Sequence, residues 1–410
     1  MHAPRTVATG RTASPSTARR INDRLALQLL QSEGPLTANQ LKALTGLSRP
    51  TVADLVERLQ EAGLIAVVGE SGAARRGPNA RLYGIVADRA HLVGLDLRPH
   101  RATVAVADLL GRTRAEHSVS IRPGTPAKRA VAATLKALDT ALRTSGASGA
   151  HTLAVGAPGL VDPATGRLGG TDRLSAWHAD LIAALRARPA PVLLENEVNL
   201  AAIAEQRDGA ARDRDTFVLL WLSHGTGAAV VLDGRLRRGA SGGTGEIGFL
   251  PVPGTAALPS AHGCDGGFHS LAGSAAIVRL ATEHGITAGA AARDGDVPPD
   301  GGAPPAEALV RAALADPEGG DAFLDALAGH IAIGAAAVSA VLDPGCVVLG
   351  GEIGRAGGTE LADRVGARLA RLSPLATEVR AGTTGGSGVL RGAVLAAMDA
   401  AQEELFAGGG

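Results

Sequence analysis

The sequence predicts an α/β protein in two parts, a small N-terminal module of helices and a hairpin followed by a larger body of strands and helices. In the first part, apolar residues recur at helical spacing between Ile21 and Leu59, with capping signals between the runs. From His91 onwards, short apolar strand patterns and helical patterns are joined by glycine-rich turns. The 410 residues are 45% apolar and 20% charged, which is enough to build the cores of two or three domains.

The composition excludes several classes of protein. The two cysteines, Cys264 and Cys346, are too few for a disulfide framework or for an all-cysteine zinc site. No uninterrupted run of about 18 apolar residues is present, and the first 20 residues lack the apolar core of a signal peptide. We therefore expect a cytoplasmic protein with no membrane partner.

The formal charge of zero is unevenly distributed along the chain. Up to Val86 there are eleven Arg and Lys residues against six Asp and Glu residues, so this part is near +5 and the rest near −5. Such a basic end suits a polyanionic partner, although a basic tail without a partner has the same composition. Residues 1–20 have no apolar period and are expected to form a disordered arm.

Three helices are expected after this arm. The first ends near Gly34, and Thr37 then caps the second helix while Gln40 reaches back to it in a capping box. Gly46 supplies the left-handed turn that ends the second helix, and Ser48 caps the third. The result is a helix, a short turn and a second helix, the arrangement that enters a DNA major groove.

The third helix has one apolar face, which leaves a small and basic surface on its other side. We expect this surface to bind DNA through Arg49, Thr51, Ala53 and Arg58, with Arg49 and Thr51 at base edges. Two apolar strand patterns, 64–68 and 81–86, flank a polar loop that contains Arg75 and Arg76, and these arginines are expected to contact the DNA backbone or minor groove. The pattern predicts a winged helix-turn-helix domain over residues 21–88, although an ordinary helical packing module shares its separate pieces.

The body contains six motifs in a fixed order. They are Gly156-Ala157-Pro158-Gly159, Glu195-Asn196-Glu197, Ser223-His224-Gly225-Thr226-Gly227, Asp233-Gly234-Arg235, Gly245-Glu246-Ile247-Gly248 and Leu342-Asp343-Pro344-Gly345 through Gly351. In this order they resemble the ROK family (repressor, open reading frame, kinase). The resemblance implies a two-lobed actin-like ATPase fold of the sugar-kinase type. The first lobe is expected at residues 89–194 with the C-terminal helix 388–407, and the second at 195–387.

Two departures from the family pattern argue against kinase activity. Where the family's kinases have a glycine-rich phosphate loop, this chain has Asp96-Leu97-Arg98-Pro99; side chains fill the glycine positions, and Pro99 has no amide proton. Arg98 or Arg101 as a substitute phosphate ligand is the alternative. Glu197 occupies the position of the catalytic Asp, so we interpret it as a vestigial base or as a group that accepts a ligand hydroxyl. We expect no enzyme activity and no cofactor; an active or bifunctional ATP-dependent sugar kinase is the alternative.

The family's zinc site is also missing. Its four ligand positions are occupied by Phe249, Ser260, His262 and Gly267, a set that cannot form a tetrahedral zinc site. A different site built from Cys264, His262, His269 and His224 is the alternative to no metal.

Of the sugar contacts that the resemblance implies, some are kept and some are altered. The expected effector-binding residues are Asn196, Glu197, Glu246, Phe249 and His269. The sequence therefore predicts a DNA-binding transcriptional regulator of the repressor type, acting as a homodimer or homotetramer on a double-stranded operator and sensing a carbohydrate-like effector. A cleft that binds nothing is the remaining alternative.

Overall fold

The computed structural model describes residues 15–71, 80–169, 176–260, 263–287 and 306–407. The N-terminal module consists of three helices and a three-stranded antiparallel sheet in the order β1-β3-β2. Its elements are α1 (Pro15–Ser32), β1 (Leu36–Thr37), α2 (Ala38–Thr45), α3 (Arg49–Glu61), β2 (Ile65–Ser71) and β3 (Ala80–Ile85).

The predicted helix boundaries in the turn region are confirmed. The Thr37 hydroxyl accepts a hydrogen bond from the Gln40 amide at 3.2 Å, and Gln40 Oε1 accepts one from the Thr37 amide at 2.9 Å. Gly46 has a φ of 71°, which fits the left-handed turn that glycine allows. Ser48 accepts a hydrogen bond from the Thr51 amide at 3.3 Å, so α3 begins where the capping signal placed it.

Two features of the module differ from the sequence expectation. The first helix begins at Pro15, inside the expected arm, because a proline is tolerated in a first helical turn and the exposed residues after it need no apolar period. Strand β1 was not expected; it is two residues long and pairs Leu36 with Tyr83 and Thr37 with Leu82. A strand this short gives no alternating pattern to detect.

The first lobe of the body is built on a mixed five-stranded sheet in the order β10-β7-β4-β5-β6. The apolar patterns at 91–97 and 102–108, which the sequence predicts to form a hairpin, lie at its centre as β4 paired with β5. Helices α4 and α5 cover one face. The elements are β4 (His91–Arg98), β5 (Arg101–Asp108), β6 (Thr113–Ser120), α4 (Ala127–Thr144), β7 (Thr152–Ala157), β8 (Leu160–Val161), β9 (Leu168–Gly169), α5 (Ala176–Arg186) and β10 (Val192–Asn196).

The second lobe has its own five-stranded sheet, in the order β13-β12-β11-β14-β15, and a second apolar core. Its elements are β11 (Phe217–Leu222), β12 (Thr226–Leu232), β13 (Arg235–Arg237), α7 (His269–Ala272), α8 (Ser274–Glu283), α9 (Ala306–Ala315), α10 (Pro317–Leu342), β14 (Cys346–Gly350), α11 (Gly351–Leu372) and β15 (Glu378–Ala381). By length and composition α10 could cross a membrane, but its Phe323, Leu327 and Ile331 are fully buried in this core.

Two helices, α6 (Glu197–Asp208) and α12 (Gly388–Ala407), fill the space between the sheets. They approach each other so closely that a Cβ atom on Gly392 would lie 1.9 Å from the Leu200 carbonyl oxygen. Helix α1 packs on the outer part of α12, where Gln31 Nε2 lies 4.0 Å from Met398 Sδ. The N-terminal module is therefore in contact with the helix pair that joins the two lobes.

Candidate functional site

The first candidate surface lies at the start of α3. Arg49 and Ala53 are exposed, and Thr51 is half-buried with its hydroxyl 2.8 Å from that of Ser48. The opposite face of α3 is buried, so the amphipathic pattern orients these residues towards solvent. The first turn of α3 therefore presents one cationic and two small side chains.

Sequence reasoning missed part of this surface. A groove of about 270 Å³ brings Arg49 and Ala53 together with Asn39 and Lys42 of α2 and Arg81 of β3. Lys42 and Arg81 are both exposed. Isolated basic residues on a helix and a strand carry no periodic signal, and only the fold places them beside Arg49.

Arg58 differs from the sequence expectation. Its Nη2 lies 2.6 Å from Oδ1 of Asp23, a buried residue of α1, and its Nη1 also pairs with Asp54. Asp23 comes first among the causes that raise the Arg58 pKa. Arg58 therefore ties α3 to α1, and its contact with DNA stays a prediction. Arg75 and Arg76 lie outside the described residues.

The second candidate site is the cleft between the lobes, at the turn from β4 to β5. The Arg98 guanidinium donates from Nε to both carboxylate oxygens of Asp96, at 2.9 and 3.2 Å, and from Nη1 to Glu352 at 3.3 Å. The same Nη1 lies 4.0 Å from Glu197, and the guanidinium is 5.8 Å from the centre of the Trp221 ring. Arg98 is thus engaged by protein groups, which argues against the alternative that it is a phosphate ligand.

The electrostatics of this cleft depend on burial. The pKa of Glu197 is raised to about 7, chiefly by burial; Arg98 opposes this shift, and the carboxylates of Asp96 and Glu352 add to it. Burial also raises the pKa of Asp96, against the effect of Arg98. Burial opposes the charge on Arg98, but the attraction of Asp96, Glu197 and Glu352 outweighs it and raises the Arg98 pKa. Near neutral pH Glu197 can therefore either donate a hydrogen bond to a ligand hydroxyl or accept one from it.

Asn196 holds the start of α6 in place. Its Oδ1 caps the helix by accepting from the Val198 amide at 2.8 Å, and its Nδ2 donates to the Gly159 carbonyl at 2.9 Å. These two bonds fix the first helical turn, and with it Glu197, against the Gly159 turn.

The other three expected effector residues come from neighbouring segments. Glu246 and Phe249 bound a 3-10 turn, and a Cβ on Gly248 within that turn would lie 3.7 Å from the Cβ of His269 at the start of α7. A Cβ on Gly227 would lie 3.6 Å from a methyl group of Val198, in the first turn of α6. It would also lie 4.0 Å from the carbonyl oxygen of Gly245, the residue before Glu246. The elements that hold all five residues therefore meet in one region.

An ion pair also ties the two halves of this region together. Buried Glu195, next to Asn196, accepts from Arg238 Nε at 2.6 Å and from the Asn199 side chain at 2.8 Å. Arg238 begins the segment that leads to Glu246, so the pair holds that segment beside α6. The contact between Arg238 and Glu195 was not predicted, because a pair 43 positions apart leaves no local pattern in the sequence.

Metal binding finds no support in the part of the chain that is described. Within it, no group of three or more His, Cys, Asp and Glu residues is placed to hold a metal ion. His262, one member of the alternative metal site, lies outside the described residues, and Cys264 is half-buried.

Comparison with known proteins adds to this geometry. Residues 92–399 match the model of the ROK family. The chain belongs to the ROK family. Residues 22–77, which include α2 and α3, match a MarR family model. A winged helix module and a ROK body are therefore combined in one chain.

Regulators are among the relatives of this ROK family chain. The DNA-binding transcriptional dual regulator NagC of Escherichia coli strain K12 is 26% identical over 243 residues, 57% of this chain and 58% of NagC. The xylose repressor of Bacillus subtilis strain 168 is 24% identical over 243 residues, 58% of this chain and 62% of the repressor. The aligned part thus spans about three fifths of each relative.

Solved ROK structures show the same fold. A crystal structure of a ROK family transcriptional regulator, a homologue of the E. coli MLC protein, superposes with a TM-score of 0.72 at 20% identity and covers 95% of this chain and 99% of its own. The ROK hexokinase of Thermus thermophilus superposes with a TM-score of 0.58 at 27% identity, over 74% of this chain and 97% of the hexokinase. The first match covers nearly the whole chain, whereas the second covers about three quarters of it.

Proposed function

We propose that this ROK family protein is a sequence-specific, DNA-binding transcriptional regulator of the repressor type, whose cleft binds a sugar or sugar-like effector. The observation that carries the proposal is the exposed basic groove at the start of α3. It combines Arg49, Lys42 and Arg81 on three elements that face the same way. The names of NagC and of the xylose repressor describe regulators, which agrees with this proposal.

On the DNA side, Arg49 and Thr51 contact base edges in the major groove, and Ala53 allows a close approach. Lys42 and Arg81 contact phosphates, while Arg75 and Arg76 contact the backbone or minor groove from the wing. The partner is a double-stranded operator. A homodimer or homotetramer reads it, since one small winged module rarely gives enough specificity.

On the cleft side, the protein has no kinase activity. A phosphate-binding turn needs free backbone amides, but the turn after Asp96 carries the Arg98 side chain instead of a glycine. Pro99 in the same turn has no amide proton to donate. The effector contacts Asn196, Glu197, Glu246, Phe249 and His269. The fold shared with the Thermus hexokinase supports a second candidate, a sugar kinase, which requires ATP-dependent phosphorylation of a sugar.

The described contacts connect the cleft with the DNA-binding module. Helix α6 begins in the cleft at Glu197, and its Arg207 pairs with Asp399 of α12 at 2.8 Å. Helix α12 in turn packs against α1. An effector that prefers one arrangement of the lobes would change DNA affinity by the same coupling free energy, typically about 1 to 3 kcal/mol.

The proposed domain boundaries follow from these roles. Residues 21–88 form the DNA-binding domain, and its first helix extends back to Pro15, into the expected arm. Residues 89–194 with helix 388–407 form the first lobe, and 195–387 form the second. We place its action in the cytoplasm.

A thermal-shift screen tests the effector half of the proposal. A panel of pentoses, hexoses and amino sugars should contain a ligand that raises the melting temperature, since a ligand at 100 times its Kd stabilises the native state by about 2.7 kcal/mol. Glu246→Gln should remove the shift, whereas Glu404→Gln, at an exposed position of α12, should keep it. A panel without any shift, or an equal shift in both variants, would contradict the assigned site.

A further inference from the structure

We propose that Arg98 is the positioning residue of the cleft: its guanidinium bridges the two lobes and holds the start of α6, and this preforms the effector site. The inference rests on the proposed function only for what the site binds. The bridge itself rests on contacts that involve neither DNA nor a sugar.

The bridge joins elements far apart in sequence. Arg98 belongs to β4 in the first lobe, whereas Glu352 lies in the first turn of α11 and Trp221 at the end of β11, both in the second lobe. Glu197, the third carboxylate near the guanidinium, starts the helix between the sheets. One side chain therefore contacts both lobes and the α6 start that holds Glu197.

The side chain is held rigidly enough for this role. The Arg98 Nε donates to both carboxylate oxygens of Asp96, and Asp96 is only 3% exposed. The Arg98 carbonyl lies 3.3 Å from Nε2 of the fully buried His178 of α5, which anchors the backbone of the turn. Because a planar guanidinium fixes several hydrogen bonds at once, a lysine would not reproduce the geometry.

The charges explain why a cation is needed at this position. Asp96, Glu197 and Glu352 converge on a largely buried region, and without Arg98 they would repel one another. Removal of the guanidinium should therefore push β4, α6 and α11 apart. Buried Oε2 of Glu352 and Nε1 of Trp221, both beside the bridge, have no hydrogen-bond partner among the described residues.

The test is hydrogen exchange on the full-length chain without DNA or sugar. In Arg98→Met, which keeps the stem without the charge, amides in segments 96–103 and 351–358 should exchange at least about tenfold faster. Arg98→Lys should restore only part of the protection, since lysine keeps the positive charge but lacks the planar guanidinium and its several donors. Arg188→Ala, which breaks the 2.7 Å pair with Asp139 inside the first lobe, should leave both segments unchanged.

A double variant separates the bridge from a general loss of stability. If Arg98 and Glu352 act as one bridge, Glu352→Gln should speed exchange in both segments, and Arg98→Met should then add little to it. Additive effects, or protection equal to that of the wild type in Arg98→Met, would overturn the proposal. Should Arg98→Met fail to fold, Glu352→Gln alone decides, because unchanged protection of 96–103 excludes a bridge across the cleft.

Sugar affinity gives a readout that is independent of hydrogen exchange. Because the bridge prepares the site, Arg98→Met should weaken binding of the ligand found in the thermal-shift screen by about tenfold. Unchanged affinity would contradict the positioning role. If no sugar binds even the wild type, the proposed function fails while the exchange results still stand.

Discussion

Arg49→Ala should weaken binding to the preferred duplex by about 10- to 100-fold, because a bidentate arginine contact to a base contributes about 1 to 3 kcal/mol of discrimination. Arg49 is exposed in the first turn of α3 and has no ion pair within the described ranges, so its loss should leave folding intact. Fluorescence anisotropy with a labelled duplex at several salt concentrations measures the effect. The loss should be greatest for the preferred sequence and small for unrelated DNA.

One arginine outside the groove serves as a control for this measurement, and two other basic residues of the groove serve as a comparison. Arg235→Ala, at an exposed position of β13 in the second lobe, should bind DNA like the wild type. Lys42→Ala and Arg81→Ala should weaken binding to all sequences alike and lower the salt slope by about one each. If Arg49→Ala bound every duplex as tightly as the wild type, α3 would not be the recognition helix.

Gly392→Ala should destabilise the protein by about 3 kcal/mol or more, as expected when a buried contact is overpacked. The new Cβ atom would lie 1.9 Å from the carbonyl oxygen of Leu200, 2.5 Å from its carbonyl carbon and 2.9 Å from its Cα, and these backbone atoms leave it no room. Helices α6 and α12 would have to separate along their whole contact. Denaturant unfolding followed by circular dichroism gives the free energy of unfolding.

The same substitution elsewhere in the chain provides a matched control. Gly329 lies inside α10, and nothing is within 4 Å of the position that its Cβ would take. Gly329→Ala should therefore leave stability unchanged or raise it by up to about 1 kcal/mol, because alanine is the better helix former. Equal losses in the two variants would mean that α6 and α12 are not in close contact.

Local signals in the sequence predicted local structure well. The capping box at Thr37, the turn at Gly46 and the cap at Ser48 each depend on residues a few positions apart, and the structure contains all three. The central hairpin of the body was also predicted, from two neighbouring apolar strand patterns. The start of α1 was predicted too late, because a solvated helical turn has no apolar period to detect.

The contacts that define the two sites were harder to predict. The loss of glycines around Arg98 was visible in the sequence. The hydrogen bond from Arg98 to Glu352 was not, because it joins residues 254 positions apart and forms only when the two lobes fold together. The ion pair of Arg58 with Asp23 was not predicted either, because Asp23 lies on another helix, 35 positions away. An arginine pairs with whichever carboxylate the fold brings near it. The order of residues along the chain does not show which carboxylate that will be.

The central claim is tested most directly by selection from a random duplex library with the full-length protein, followed by affinity measurements with and without the sugar found by thermal shift. We expect enrichment of one sequence family, binding that falls steeply with salt, and a change in affinity of about 5- to 150-fold when the sugar is added. No enriched sequence, together with ATP-dependent phosphorylation of a sugar by the same preparation, would contradict the account.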